Sequence, residues 1–348
     1  MNKLITMGTM AFSVAGLGFL LATGCGGGGA TSIAAPQSRS YLGTQNPGDV
    51  WQWTLTGTSF TASNQTRGYT YSGTEQTLVS GFLKLTFTSS TDPNVSVNSL
   101  GYGLEIPGTA IIIKPAGDQT VKPILGAALG GCPATAQNFN FVKVPSATFD
   151  LSSQPAYGTL TIDPSSGSLT GTISWFALSG TSMGSGQDSF TCSNGTWQGT
   201  DSTGAWSPGG VFFIDNGLNN GGSIGVAAPS ANIDLSDMTS RTFRGFLISP
   251  AKTEPVAAIP SGTSGTMLGH GYDTDDELTT DTPDVANASV TITFTSQPSP
   301  GLVAATIQPN NGNPESIVCA VNITNGKYTL YSIGGSSSQV YNLYLIEK

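Results

Sequence analysis

The chain has 348 residues, including 46 Gly and 20 Pro, and only 9% are charged, against roughly 25% in an average soluble domain. A formal net charge of −9 excludes a protein that neutralises nucleic-acid phosphates, and a single histidine, His270, excludes nearly all zinc sites. Hydrophobic residues at 38% with so few charges exclude an intrinsically disordered chain.

Residues 1–24 read as an export signal. Lys3 precedes an apolar run over residues 4–21, and Ala22, Thr23 and Gly24 supply small residues before Cys25. A membrane-spanning helix over residues 4–22 is the competing reading, because that length just crosses the hydrocarbon core. Gly8, Gly16 and Gly18, with Thr6, Thr9 and Ser13, make it a poor span. The stretch Leu21-Ala22-Thr23-Gly24-Cys25 resembles the lipobox of bacterial lipoproteins, with Leu at 21 and Ala22 in the usual Leu place. The resemblance covers only these residues. It implies cleavage before Cys25, lipidation of Cys25 and attachment to a membrane through that lipid. In lipoproteins of diderm bacteria, Gly26 rather than Asp after the Cys implies sorting to the outer membrane. The four glycines Gly26 to Gly29 and the patternless residues 30–40 predict a flexible tether over 25–40.

From Tyr41 onward the dominant period is two. Trp51, Trp53 and Leu55 alternate with polar residues, as do Leu83, Leu85 and Phe87. The clearest hairpin pairs residues 158–162 with 168–175 across the turn formers 163–167. Thr and Ser on the alternate positions predict antiparallel sheets with one wet face. No stretch carries a sustained helical period, although residues 123–129 allow one short helix. Further strands are expected at 211–214, 242–248, 289–295, 301–307, 316–323 and 339–346. The fold class is all-β, built of antiparallel sandwich or up-and-down barrel-like units. Length argues for two domains, divided at Ser207-Pro208-Gly209-Gly210 into 41–207 and 208–348. Residues 85–89 and 292–296 are similar enough to suggest a duplication.

With Cys25 assigned to lipid, Cys132, Cys192 and Cys319 remain. Cys319 lies in an apolar strand and suits a buried thiol. Cys132 and Cys192 lie in loop-like surroundings, and an exported compartment is oxidising, so they are expected to form a disulfide.

Candidate chemistry is sparse. Gly180-Thr181-Ser182-Met183-Gly184 matches the G-x-S-x-G nucleophile elbow and resembles the stretch around the subtilisin serine. No helix is expected after it, and the only histidine, His270, follows where a subtilisin needs it to precede. An exposed hairpin loop is the competing reading. Trp197 and Trp206 lie in Gly/Ser-rich stretches that could display flat rings to a carbohydrate, whereas Trp51 and Trp53 suit a core. Residues 273–284 space oxygen donors as a calcium loop does, with Asp273, Asp275, Glu277, Asp281 and Asp284 as ligands. Leu278 stands where such a loop needs Gly, so a solvated acidic loop competes. These readings predict a membrane-anchored β lipoprotein with a binding or structural role, its ligand a carbohydrate or a protein. An extracellular hydrolase acting on polysaccharide or ester is the alternative.

Overall fold

Alternating apolar and Thr/Ser positions give each extended segment one face to bury, and closing a sheet on itself buries that face without leaving an edge. The computed structural model describes residues 37–348 apart from 46–47, 118–119, 145–154, 166–167, 218–219, 285–289, 311 and 337–338. The lipobox-like stretch and Cys25 lie outside the described residues, as do Gly26 to Gly29.

The first barrel comprises β1 (Ser38–Gln45), β2 (Asp49–Thr56), β3 (Ser59–Asn64), β4 (Thr70–Thr77), β5 (Leu83–Ser90), β6 (Leu100–Ile106), β7 (Ala110–Lys114) and β8 (Ile124–Ala128). Each strand pairs antiparallel with the next, and β8 closes on β1 with Ala128 opposite Tyr41. The second barrel comprises β9 (Gln137–Val144), β10 (Ala156–Ser165), β11 (Ser168–Ala177), β12 (Ser182–Ser193), β13 (Thr196–Gln198), β14 (Thr203–Ser207), β15 (Val211–Asp215) and β16 (Gly222–Ala227). It closes with Ile224 opposite Val142.

A short helix, α1 (Leu235–Thr239), leads into the third barrel. This one comprises β17 (Phe243–Ile248), β18 (Thr253–Pro260), β19 (Thr266–Gly271), then α2 (Asp275–Thr280), β20 (Val290–Ser299), β21 (Leu302–Pro309), β22 (Glu315–Thr324), β23 (Lys327–Ser336) and β24 (Gln339–Glu347). Leu345 opposite Gly245 closes it.

The chain is all-β, in closed up-and-down barrels, and there are three of them where two domains were expected. Ser207-Pro208-Gly209-Gly210 is not a linker. It is the tight turn between β14 and β15, where Gly210 N–H bonds Ser207 O at 2.8 Å and Gly210 adopts φ 88°. Residues 124–128, read as part of a short helix, form β8; all five are buried, because one face of the strand lines the first barrel and the other meets its neighbours. The expected tether end at 40 falls inside a strand, since Ser38 to Ser40 pair with Thr56 to Thr54, and residues 25–36 lie outside the described residues. The similar segments at 85–89 and 292–296 fall in the fifth strand of one barrel and the fourth of another, which removes the duplication they suggested. The hairpin at 158–175 pairs as read, with Leu160 opposite Ile173.

Each barrel interior is a core, and a fourth core joins all three barrels. Tyr41, Trp51, Trp53, Phe60, Tyr71 and Phe87 fill the first barrel. Phe139, Phe141, Phe190, Trp197 and Phe212 fill the second. Outward-facing residues such as Ile112, Leu125, Phe213, Val226, Phe246, Tyr331 and Tyr344 pack into one continuous cluster. Strands touching that cluster are buried on both faces, which explains the unbroken apolar runs of β7 and β15.

Candidate functional site

An eight-stranded barrel is just wide enough for side chains to fill it or for one small ligand to replace them. In the first two barrels, glycines and rings are matched. A Cβ on Gly73 would stand 2.6 Å from the Phe60 ring, one on Gly158 2.7 Å from Phe141, and one on Gly225 2.6 Å from Phe212. In the third barrel the Tyr341 ring lies over Gly334, where a Cβ would stand 2.9 Å from it, but two glycines of β19 have no ring over them. Gly269 faces Val290 and Ile292, and a Cβ on Gly271 would meet the Glu254 carboxylate at 2.6 Å. A cavity of about 570 Å³ occupies that space, within the range of small-ligand sites.

One end of this barrel is sealed. Asp234 caps α1, its carboxylate accepting from Ser236 and Asp237 N–H at 2.9 and 3.1 Å. That places fully buried Met238 against the core that includes Phe243, Phe294 and Tyr328. The other end carries the cavity. Its apolar wall includes Val256, Ala258, Val290, Ile292, Ile307 and Leu343. Its polar residues include Lys252, Glu254, Glu315 and Tyr341. Lys252 Nζ pairs with Glu254 Oε2 at 2.5 Å. Tyr341 Oη lies in the field of the Glu315 carboxylate, and burial first, then that charge, pushes its pKa up. The hydroxyl is directed at that carboxylate, which adds to the upward shift. Sequence reading missed this site. Its one sequence signal is the scarcity of aromatic residues at the inward positions of β18 and β19.

The calcium-loop residues do not assemble. Thr274 and Glu277 form a helix start of the S/T-x-x-E kind, with Glu277 N–H bonding Thr274 Oγ1 at 3.2 Å. The Glu277 carboxylate turns back to Asp273 N–H at 2.7 Å, and Asp275 lies in the first turn of α2. Leu278, where a calcium loop needs Gly, is 2% exposed and belongs to the central core. Asp281 caps the C-terminus of α2 and faces Arg244, Tyr272 and Lys348 instead of Asp273. Asp284 N–H bonds Gly271 O at 2.9 Å. Among the described residues no three His, Cys, Asp or Glu side chains converge as a metal would require.

The elbow-like serine does not meet the histidine. Ser182 opens β12 on the exposed side of the second barrel. His270 is 4% exposed in the third barrel, across from Ala257, and burial lowers its pKa while Asp284 pulls the other way. Trp197 is fully buried beside Phe190 and Phe212, so it cannot be a carbohydrate platform. Trp206 is half-buried with an enclosed Nε1 and packs against the second-barrel core. Trp51 and Trp53 are core, as read.

Cys132 and Cys192 are joined by a disulfide with Cα atoms 5.8 Å apart. It ties the connection between the first two barrels to β12. Cys319 is free and buried within the third barrel. Among the described residues no helix is long and apolar enough to cross a membrane. The chain matches no known family model, and no curated protein is similar to it.

Proposed function

We propose that this chain is a lipid-anchored binding protein of the cell envelope, in the outer membrane of a diderm bacterium, whose third barrel receives a small, mainly apolar ligand. The observation that carries the binding role is the contrast between barrels: aromatic rings fill two interiors, and the third leaves about 570 Å³ open at one end. The anchor rests on the lipobox-like stretch ending at Cys25. A hydrolase reading has less support, since Ser182 and His270 lie in different barrels.

Two measurements test this function. Nile red, a neutral apolar dye, should bind residues 26–348 (exported behind a non-lipoprotein signal) at one site per chain, with blue-shifted emission. Val290→Trp, which places an indole at the cavity wall, should abolish the signal without lowering the melting temperature. Persistence of the dye signal in that variant would overturn the cavity as the site. A fatty-acid probe should label the full chain and fail to label Cys25→Ser.

A further inference from the structure

We propose that the third-barrel cavity selects an apolar molecule carrying a basic amine, whose ammonium pairs with Glu315. This assignment rests on reading the cavity as a ligand site. The charged residues lining the cavity are Lys252, Glu254 and Glu315, with His270 and Tyr341 the other titratable ones. Lys252 and Glu254 cancel each other as an ion pair. Glu315 enters none of the ion pairs among the described residues, so its charge faces the space un-neutralised, with the Tyr341 hydroxyl directed at it.

Register directs it inward. Glu315 stands opposite Ile307, and Ile317, two residues on, belongs to the interior core with Tyr341 and Leu343. Tyr341 lies beside it, its hydroxyl directed at the Glu315 carboxylate and its oxygen still able to accept. An ammonium offers three donors and no acceptor, so it can give one hydrogen bond to the carboxylate and one to the tyrosine oxygen. A carboxylate or phosphate head would instead bring negative charge against Glu315. The chain's net charge of −9 adds to that preference by drawing cations toward the protein. The apolar wall requires the remainder of the ligand to be hydrocarbon-like.

The test uses three probes that share one chain and differ at the head: dodecylamine, dodecanol and dodecanoate, each below its micelle concentration at pH 7. Binding to residues 26–348 is read by calorimetry and by displacement of Nile red. Dodecylamine should bind about tenfold or more tightly than dodecanol, with dodecanoate weakest. Glu315→Gln should reduce amine affinity about tenfold and leave dodecanol unchanged. Asp273→Asn, an exposed carboxylate outside the cavity lining, is the folding and net-charge control and should leave amine affinity unchanged. Equal or tighter binding of dodecanoate, or amine binding untouched by Glu315→Gln, would overturn the amine assignment while dodecanol binding keeps the cavity reading intact. Failure of all three probes to bind overturns both.

Discussion

Arg244 and Asp281 form a fork-shaped pair in which the guanidinium Nη2 donates to both carboxylate oxygens, at 2.7 and 2.8 Å. Tyr272 Oη donates to the same carboxylate at 2.7 Å and Lys348 Nζ at 2.6 Å. The cluster ties together β17, the residue following β19, the end of α2 and Lys348. The Arg244 side chain is 5% exposed and that of Asp281 14%, so neither charge can fall back on water.

Removing one partner of such a pair leaves the other buried and uncompensated, which generally costs about 3–5 kcal/mol. Asp281→Asn should therefore destabilise the protein by about 3 kcal/mol, the lower end because Lys348 is partly solvated. Asp273→Asn, on an exposed carboxylate of the same acidic segment, should change stability by less than ~0.5 kcal/mol. Urea melts of the two variants separate these outcomes. Burial opposes the Asp281 charge, but Lys348, Tyr272 and Arg244 outweigh it and hold the pKa below the usual value. A carboxylate with a depressed folded pKa contributes stability that is present above the unfolded pKa, about 4, and lost as pH falls through the folded one. The wild type should lose stability in that acid window, and Asp281→Asn should lose less of it.

Glu75 titrates in the opposite sense. It lies at one end of the first barrel with Glu105, Arg39 and Tyr41. Arg39 Nε bonds Glu105 at 2.6 Å and reaches Glu75 only at 3.4 Å, while Tyr41 also donates to Glu105. Glu75 Oε2 is buried without a partner. Burial first, then repulsion from Glu105, pushes its pKa up to about 7, with Arg39 opposing. A raised folded pKa means that stability is fully present below the unfolded value, about 4.3, and is lost as pH rises through about 7. Glu75→Gln should raise stability at pH 8 and leave it nearly unchanged at pH 4. A variant that melts alike at both pH values would remove Glu75 as the titrating group.

The Cys132–Cys192 bridge closes a sequence separation of 60 residues. Chain entropy for a loop of that size gives ~4 kcal/mol of stabilisation, provided the reduced chain is flexible when unfolded. Cys132→Ser with Cys192→Ser should lower the urea midpoint without changing the native β spectrum by circular dichroism. Reducing agent should have the same effect on the wild type and none on the double variant.

Strand content was legible because period-two alternation is local. The number of barrels was not. Closure depends on pairs such as Tyr41 with Ala128 and Gly245 with Leu345, separated by most of a barrel's length. Ser207-Pro208-Gly209-Gly210 has the composition of both a linker and a hairpin turn, and only the pairing of β14 with β15 decides between them. Trp197 sits among Gly and Ser yet is fully buried, because a short strand can turn one large ring into a barrel. The acidic segment hid a capped helix whose signal, Thr274 followed by Glu277, was present but outweighed by the spacing of carboxylates. The cavity was illegible for a different reason: it consists of what the inward positions of the third barrel lack.

That difference in filling gives a last prediction. Trp53 is fully buried, 5.3 Å from Phe60 and 6.4 Å from Tyr71 by ring centroids. Trp197 is likewise fully buried inside the second barrel, 6.0 Å from Phe190 and 6.3 Å from Phe212. Truncating a ring packed on every side loses its transfer free energy and leaves a void, so Trp53→Ala and Trp197→Ala should each cost about 3–5 kcal/mol. The indole Nε1 of each is buried without a partner, a standing cost that phenylalanine removes. Trp53→Phe and Trp197→Phe should therefore cost only about 1–2 kcal/mol despite the smaller ring. In the third barrel the wall already borders open space. Val290→Ala should cost under ~1 kcal/mol, because the atoms it removes had few neighbours to lose. Thermal and urea melts of the five variants rank these costs. A Val290→Ala loss as large as the tryptophan truncations would mean that the third barrel is packed like the other two.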